Sequence, residues 1–226
     1  GVQTCALPIY KHRPQYQNQI MAASASDGKD NIIVIDTETT GLPIQTKYRG
    51  FFTPSNYSKY NTSRLIEVGY FIYSKAGNVI TKRDMLIIPD NFRIENTEIH
   101  GISHEDAEKN GVPLAIALAQ LAEDLGSCNT VVAHNLQFDF NVILAECYRI
   151  LANGANSTAR GVVDKMTSMN KVCTIQLAKD KLKRDKRMKL IHLYEELKGV
   201  KWEQQHRAED DARVCAECYW HLVRLK

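Results

Sequence analysis

Two acidic residues stand at the end of an apolar run in NIIVIDTETTGLP, residues 31–43. Asp36 and Glu38 are two positions apart, so on a strand their side chains point to the same face. Two carboxylates at that spacing repel each other unless a positive charge lies between them, and Mg²⁺ or Mn²⁺ takes carboxylate oxygens as ligands. A strand that simply runs out into solvent explains a lone pair of this kind as well. The TTGLP that follows predicts a tight exit from the strand.

Two later segments also place an acid next to an apolar element. Asp139 lies at the predicted start of a helix in AHNLQFDF (133–140), where a plain helix cap is the alternative. His206 and Asp211 in HRAEDDARVC are five positions apart, about a turn and a half of helix, and an ordinary acidic first turn is the alternative there. Together the three segments predict one site built from several carboxylates and a histidine.

Buried strands and helices must bring these segments together. Residues 31–36 and 130–134 are short apolar runs typical of strands covered on both faces, while 64–74 and 78–89 flank a KAG turn and predict a hairpin. Apolar spacing and end signals predict helices over 113–126 and 138–151, two short helices within 94–113, and three helical segments toward the end of the chain: VCTIQLAKDKL, MKLIHLYEELKG and EDDARVCAECYWHLVRL. We therefore predict one α/β domain over residues 30–226.

Composition sets the outer bounds. The chain has 226 residues, 44% of them hydrophobic and 24% charged, with a formal charge of +3. No run approaches the roughly 20 apolar residues of a spanning helix, and no secretion signal is recognisable, so we expect an intracellular, cytoplasmic protein with no membrane partner. Residues 1–29 are polar and aperiodic and predict a disordered leader, whose residues 1–9 resemble a translated sequencing adapter.

The motifs resemble those of the DEDDh (DnaQ-like) 3′–5′ exonucleases, the group that contains the proofreading epsilon subunit of bacterial DNA polymerase III. IDTETTGL is similar to the first motif of that family, HNLQFD to the second and HRAEDDA to the third. IHGIS (99–103), CTIQLAK (173–179) and LIHLYEELKG (190–199) are weaker markers in the same order. The resemblance covers about residues 31–225 and requires several motifs to coincide.

The resemblance implies a ribonuclease-H-like fold, a mixed β-sheet flanked by helices on both faces. It also implies that Asp36, Glu38, Asp139 and Asp211 hold two divalent cations, Mg²⁺ or Mn²⁺, and that His206 is the general base. The expected reaction releases nucleoside monophosphates from single-stranded 3′ ends of DNA, with a separate DNA polymerase as a possible partner. A 3′–5′ exoribonuclease acting on RNA ends or short oligoribonucleotides, and a non-catalytic nucleic-acid-binding module, are the alternatives. Asp210 and Glu209 are expected to be bystanders.

Substrate contacts follow from the same resemblance, each with a structural alternative. The loop after the first acid pair is expected to line the terminal nucleotide, with an exposed loop histidine as the alternative for His100. Strand-end hydrogen bonding is the alternative for His134 and Asn135, and core packing for Phe138. The expected contacts are Thr39, Thr40, Gly41, Leu42, His100, His134, Asn135 and Phe138.

Three further features are open between functional and structural interpretations. Residues 43–64 form a long aromatic and basic insertion that either contacts single-stranded nucleic acid or packs onto the domain. Residues 179–189 hold seven basic and two acidic residues, which fit phosphate binding or a solvated helix end. Cys215 and Cys218 form a C-x-x-C within a helical pattern and are expected to be packing thiols rather than zinc ligands.

Overall fold

A five-stranded mixed sheet forms the centre of the molecule, for which a computed structural model describes residues 30–48 and 50–225. The leader predicted at residues 1–29 lies outside the described residues. The sheet order is β3-β2-β1-β4-β5, with β1–β2 and β2–β3 antiparallel and β1–β4 and β4–β5 parallel. The strands are β1 Asn31–Thr39, β2 Leu65–Tyr73, β3 Val79–Leu86, β4 Cys128–Ala133 and β5 Asn170–Cys173.

Eight α-helices surround this sheet within the described ranges, together with a short 3₁₀ turn at Tyr57–Tyr60. None of these helices combines the length and the apolar character that crossing a bilayer requires. The helices are α1 Thr97–His100, α2 His104–Asn110, α3 Leu114–Leu125, α4 Leu136–Ala152, α5 Ser157–Ser168, α6 Thr174–Leu182, α7 Leu190–Lys198 and α8 Ala208–Arg224.

Alternate residues of β1 bury against two different helical layers. Ile33 and Ile35 pack with residues of α3, α4 and α5, whereas Ile32 and Val34 pack with α6, α7 and α8. The predicted mixed sheet with helices on both faces is therefore confirmed. Because side chains two apart share a face, Asp36 and Glu38 continue the row of Ile32 and Val34 and point toward α8.

The second layer also contains the C-x-x-C. Cys215 and Cys218 are both buried on the apolar face of α8, and no further cysteine of residues 30–48 and 50–225 completes a metal set there. The metal-binding group found among the described residues contains no cysteine. These observations support the packing interpretation of the two thiols.

The insertion at 43–64 is fastened to α4, the helix that begins just before Asp139. The Tyr60 hydroxyl donates to the Phe52 carbonyl at 2.5 Å and accepts from Asn141 Nδ2 at 3.0 Å. Arg149 on the same helix donates to the Tyr57 carbonyl at 3.2 Å. Packing onto the domain therefore accounts for the inner aromatic residues of the insertion, and not for its tip.

Candidate active site

Asp139 is joined to the strand that carries the first acid pair. Its Oδ1 accepts hydrogen bonds from the Thr37 amide at 3.0 Å and the Thr37 hydroxyl at 2.8 Å, across 102 positions of sequence. Thr37 lies between Asp36 and Glu38, so these bonds fix the Asp139 carboxylate beside both acids. Asn135, not Asp139, occupies the N-cap of α4, so the helix-cap alternative for Asp139 is wrong.

Asp211 enters the same site from the first turn of α8. It is buried, and its Oδ2 accepts from Gln204 Nε2 at 2.6 Å. Ligand atoms of Asp211, Glu38 and His206 all lie within 4.8 Å of one another. The neighbouring Asp210 instead accepts from Trp202 Nε1 at 3.1 Å and pairs with a surface arginine, as expected for a bystander.

The electrostatics of the four carboxylates call for a compensating positive charge. Burial raises the pKa of Asp36 well above its usual range, and Asp139, Asp211 and Glu38 raise it further by repulsion. Burial also raises the pKa of Glu38 to about 9, of Asp139 to about 7 and of Asp211 to about 6. Each value reflects the cost of holding clustered negative charges away from water.

The donor set fits a hard divalent cation. Its carboxylate oxygens are the ligands that Mg²⁺ and Mn²⁺ prefer. Asp211 Oδ1 is buried and finds no hydrogen-bond partner among the described residues, so one lone pair of the site is left for another ligand. Asp36, Glu38, Asp139 and Asp211 are therefore the residues that could hold metal ions.

Glu67 is an acid of this region that the motifs did not reveal. It is 0% exposed on β2 and lies directly opposite Glu38 in the antiparallel register. Its Oε1 accepts from Arg207 Nε at 3.0 Å, and its Oε2 accepts from the Ala208 amide at 2.8 Å. The detectable signal was a single acid inside an otherwise apolar strand, LIEVGYFIY. Glu67 anchors the two residues that follow His206.

Gly69 allows the start of α8 to approach β2 closely. A Cβ at Gly69 would lie 2.2 Å from the Glu209 nitrogen and 2.3 Å from the Ala208 carbonyl carbon, which are impossible contacts. His206, just before α8, is exposed and has a φ of 50° in the left-handed region. The histidine thus projects from a backbone turn that Glu67 and Gly69 hold against the sheet.

The loop after Glu38 folds back onto the end of the insertion. The Thr40 amide donates to the Arg64 carbonyl, and the Thr40 hydroxyl accepts from the Arg64 amide, both at 3.0 Å. Thr39 Oγ1 donates to the Gly41 carbonyl at 2.8 Å, and a Cβ at Gly41 would lie 3.0 Å from the Thr62 carbonyl oxygen. The Leu42 side chain is 69% exposed and remains available for a ligand.

Both histidines predicted to contact substrate, His100 and His134, already have hydrogen-bond partners in the protein. His100 is 2% exposed, with Nδ1 accepting from the Ile102 amide at 3.1 Å and Nε2 lying 3.2 Å from the Glu95 carbonyl oxygen. The exposed-loop alternative for His100 is therefore wrong, and its burial lowers its pKa. A nucleotide contact through this ring would require breaking those hydrogen bonds, so the structure favours a supporting role.

His134 lies beside the acids, but both of its ring nitrogens already have hydrogen-bond partners in the protein. Its Nδ1 lies 2.8 Å from the Thr174 hydroxyl and its Nε2 3.1 Å from the Met188 carbonyl oxygen. Burial lowers the pKa of His134 to about 4, so the imidazole is neutral at physiological pH. The structure supports the hydrogen-bonding alternative for this residue.

An open cavity of about 670 Å³ lies between the acids, the N-cap of α4 and the first turns of α6 and α7. Asp36, His206 and Asp211 line this cavity, and so do Asn135 and Arg187. Arg187 Nη2 donates to Asn135 Oδ1 at 2.9 Å, which holds a guanidinium beside the cavity. The cavity can therefore accommodate an anionic ligand that reaches the carboxylates from the side of Arg187.

The basic segment 179–189 is divided between this cavity and the protein surface. Arg187 and Lys189 line the cavity, whereas Arg184 pairs with Glu196 and Lys181 donates to the Leu225 carbonyl at 2.6 Å. The structural interpretation therefore fits Arg184 and Lys181, and phosphate binding by Arg187 and Lys189 stays a prediction. Phe138 is half-buried against Phe51 of the insertion, with ring centroids 6.1 Å apart.

Comparisons with solved structures identify the fold. Escherichia coli exonuclease I in complex with a dT13 oligonucleotide is similar at a TM-score of 0.61 and 16% identity, over 86% of this chain and 41% of that chain. The zinc-bound form of the E. coli exonuclease I–single-stranded DNA complex gives 0.61 and 16%, over 86% and 40%. This chain thus spans about two fifths of the length of exonuclease I, 41%. A comparison with curated proteins gives no significant match.

A family comparison agrees with this fold. The family model described as Exonuclease (RNase_T) matches residues 33–219, which include all four acids and His206. The predicted ribonuclease-H-like architecture and the predicted resemblance to DnaQ-like exonucleases are both confirmed. By sequence and by fold, the chain belongs to the exonuclease family.

Proposed function

We propose that this protein is a metal-dependent 3′–5′ exonuclease that releases nucleoside monophosphates from the 3′ ends of DNA. The observation that carries the proposal is the convergence of Asp36, Glu38, Asp139 and Asp211 at one end of β1, with His206 beside them, in a chain of the exonuclease family. A non-catalytic binding module has no need for buried, mutually repelling carboxylates, which cost stability.

The four carboxylates would hold two divalent cations, Mg²⁺ or Mn²⁺. When bound, such ions supply a water of lowered pKa and offset negative charge on the reacting phosphate. Thr37 orients Asp139 through its two hydrogen bonds, and Gln204 orients Asp211 through one. The protein's own residues thereby fix the directions of the carboxylate oxygens before any ligand arrives.

His206 is the proposed general base. Its ring nitrogen would accept the proton of the attacking water, a role suited to imidazole because its ordinary pKa is near physiological pH. His206 is exposed, so it can exchange that proton with solvent after each turnover. Ligand atoms of Glu38 and Asp211 within 4.8 Å place the imidazole beside the carboxylates.

Single-stranded DNA is the proposed substrate, and RNA is the alternative. The similar exonuclease I structures contain a dT13 oligonucleotide or single-stranded DNA, and the cavity here is open enough to admit a strand end. Discrimination against RNA depends on contacts to the 2′-OH.

Degradation of 5′-labelled single-stranded DNA and RNA of matched sequence tests the proposal. We expect a ladder that shortens from the 3′ end with Mg²⁺ or Mn²⁺, vanishes with chelator and is lost in Asp36→Ala. Asp30→Ala is the matched control, because Asp30 lies next to the opposite end of β1 and is exposed. No cleavage of either polymer by the folded protein would contradict the nuclease assignment. Faster cleavage of RNA than of DNA would show that RNA is the preferred substrate.

A further inference from the structure

The tip of the insertion presents an exposed apolar and aromatic surface. We call Leu42, Ile44, Lys47, Tyr48 and Phe51 the tip surface. Tyr48 at 82% and Leu42 at 69% are the two most exposed large hydrophobic side chains in the described part of the chain, and Ile44 is 48% exposed. Three exposed apolar side chains within seven positions indicate a contact surface.

The tip surface is held in a defined shape. Gln45 pairs with Phe51 across a small antiparallel bridge, and the Thr46 amide donates to the Gly50 carbonyl at 2.9 Å. The Ile44 amide donates to the Lys59 carbonyl at 2.9 Å, which ties the tip to the rest of the insertion. A ligand would therefore meet a preorganised surface, which lowers the entropic cost of binding.

Both ends of this surface are linked to residues of the acid site. It begins at Leu42, four residues after Glu38, and it ends at Phe51, which packs against Phe138 at 6.1 Å. Phe138 directly precedes Asp139. Short stretches of chain and one ring contact thus connect both ends of the tip surface to residues of the acid site.

The charge of the insertion is opposite to that of the site. Residues 43–64 contain four basic and no acidic residues, whereas the site holds four carboxylates. Lys47 Nζ lies 4.8 Å above the Tyr48 ring, so a cation and an aromatic face are presented together. Positive charge next to exposed aromatic rings matches the alternating phosphates and bases of single-stranded nucleic acid.

We propose that the tip surface binds the single strand behind its 3′ terminus, with Tyr48 stacking on a base and Lys47 facing a phosphate. This inference rests on the proposed function, since the strand end is assumed to lie at the acids. The tip surface would act on affinity for long strands and leave the chemistry of the terminal phosphodiester bond unchanged.

Binding and cleavage can be tested separately. Anisotropy of a labelled oligothymidylate of about 12 nucleotides in chelator reports strand binding, and hydrolysis of a dinucleotide with Mg²⁺ reports the chemistry. We expect Tyr48→Ala to weaken oligonucleotide binding about tenfold and to leave dinucleotide hydrolysis unchanged. Tyr48→Phe retains the ring and is expected to bind like the unaltered protein.

Salt dependence tests the charged half of the surface. Lys47→Gln is expected to reduce the slope of log affinity against log salt by about 0.7, the value for one single-strand phosphate contact. Lys75→Gln is the matched control, because the exposed Lys75 lies in the β2–β3 turn, outside the insertion.

Separate results would overturn the inference and the proposed function. Unchanged oligonucleotide binding in Tyr48→Ala, or an equal loss for oligonucleotide binding and dinucleotide hydrolysis, would overturn the role of the tip surface. Absence of dinucleotide and oligonucleotide cleavage by the unaltered protein would instead overturn the exonuclease assignment.

Discussion

At the scale of single residues, His206 is the group whose removal should separate chemistry from metal binding. We expect His206→Ala to lower kcat by about 10²–10⁴, the usual contribution of a general base, while the affinity for Mn²⁺ stays close to that of the unaltered protein. Turnover of a labelled oligonucleotide and Mn²⁺ titration are the two measurements. His192→Ala removes an exposed histidine from α7 and serves as the control.

A kcat within a few-fold of the unaltered enzyme would contradict the role given to His206. Loss of activity together with loss of Mn²⁺ affinity would show instead that the imidazole is a metal ligand. The Mn²⁺ titration is needed for this distinction because the imidazole lies within 4.8 Å of ligand atoms of Glu38 and Asp211.

Glu67 is expected to affect stability and activity through its hydrogen bonds with Arg207 and Ala208. Glu67→Ala leaves the Ala208 amide and the Arg207 guanidinium without their acceptor, so we expect the free energy of unfolding to fall by about 2 kcal/mol. Urea unfolding measures this change. Because the same bonds hold the turn that carries His206, activity should fall as well, and a variant of unaltered stability and activity would refute the anchoring role.

Residue patterns predicted the acidic residues of the site, but they did not predict the residues that hold those acids in place. The spacing of Asp36 and Glu38 on one strand face followed from the period of a strand, and the order of the motifs added Asp139, His206 and Asp211. Glu67 resembles any acid of a strand until its pairing with Arg207 is known. His100 was expected near substrate, but its ring bonds to local backbone, which no sequence spacing reveals.

At the scale of elements, the contact between β2 and the start of α8 sets the geometry of the site. Gly69→Ala places a methyl group against the backbone of Ala208 and Glu209, so α8 must shift. We expect a loss of about 1–3 kcal/mol in the free energy of unfolding, as for other overpacked positions, and a fall in kcat because Asp211 and His206 move with the helix.

Gly161→Ala is the matched control for this substitution. Gly161 lies in α5, and a Cβ there meets nothing within 4 Å, so alanine should leave kcat unchanged and stabilise the helix by up to about 1 kcal/mol. Denaturant unfolding and turnover of both variants provide the comparison. Equal behaviour of the two variants would contradict the importance of the α8 contact.

Element prediction succeeded where the apolar period was long. The β2–β3 hairpin and helices α3, α4, α7 and α8 follow their predicted segments closely. Strand β5 was not predicted, and the helical segment VCTIQLAKDKL was wrong at Val172 and Cys173, because the four-residue strand Asn170–Cys173 is defined by pairing with β4. Helix α5 was not predicted either; it lies in a polar segment with a glycine, and its Asn156 cap is a weak signal alone.

At the scale of the whole molecule, the clustered carboxylates should make stability depend on pH and metal together. The pKa values of Asp211, Asp139 and Glu38 are raised to about 6, 7 and 9, so the native state binds more protons than the unfolded state above about pH 4. In chelator, the free energy of unfolding should therefore fall as pH rises from about 4 to 9.

Added Mg²⁺ should reverse this trend, because it binds ionised carboxylates in the native state. Thermal unfolding at about pH 5 and about pH 8, with chelator or millimolar Mg²⁺, measures both effects. We expect the larger rise of Tm with Mg²⁺ at the higher pH. An equal rise at both values, or none, would argue against a metal centre formed by these acids.

We propose that Asp211, rather than its neighbour Asp210, belongs to a metal-dependent nuclease centre. The most direct measurement is cleavage of a 5′-labelled oligonucleotide with Mg²⁺ by Asp211→Asn and Asp210→Asn, two isosteric changes at adjacent positions of one helix. We expect Asp211→Asn to abolish shortening from the 3′ end and Asp210→Asn to retain it. Equal activity of the two variants would contradict the site described for this molecule.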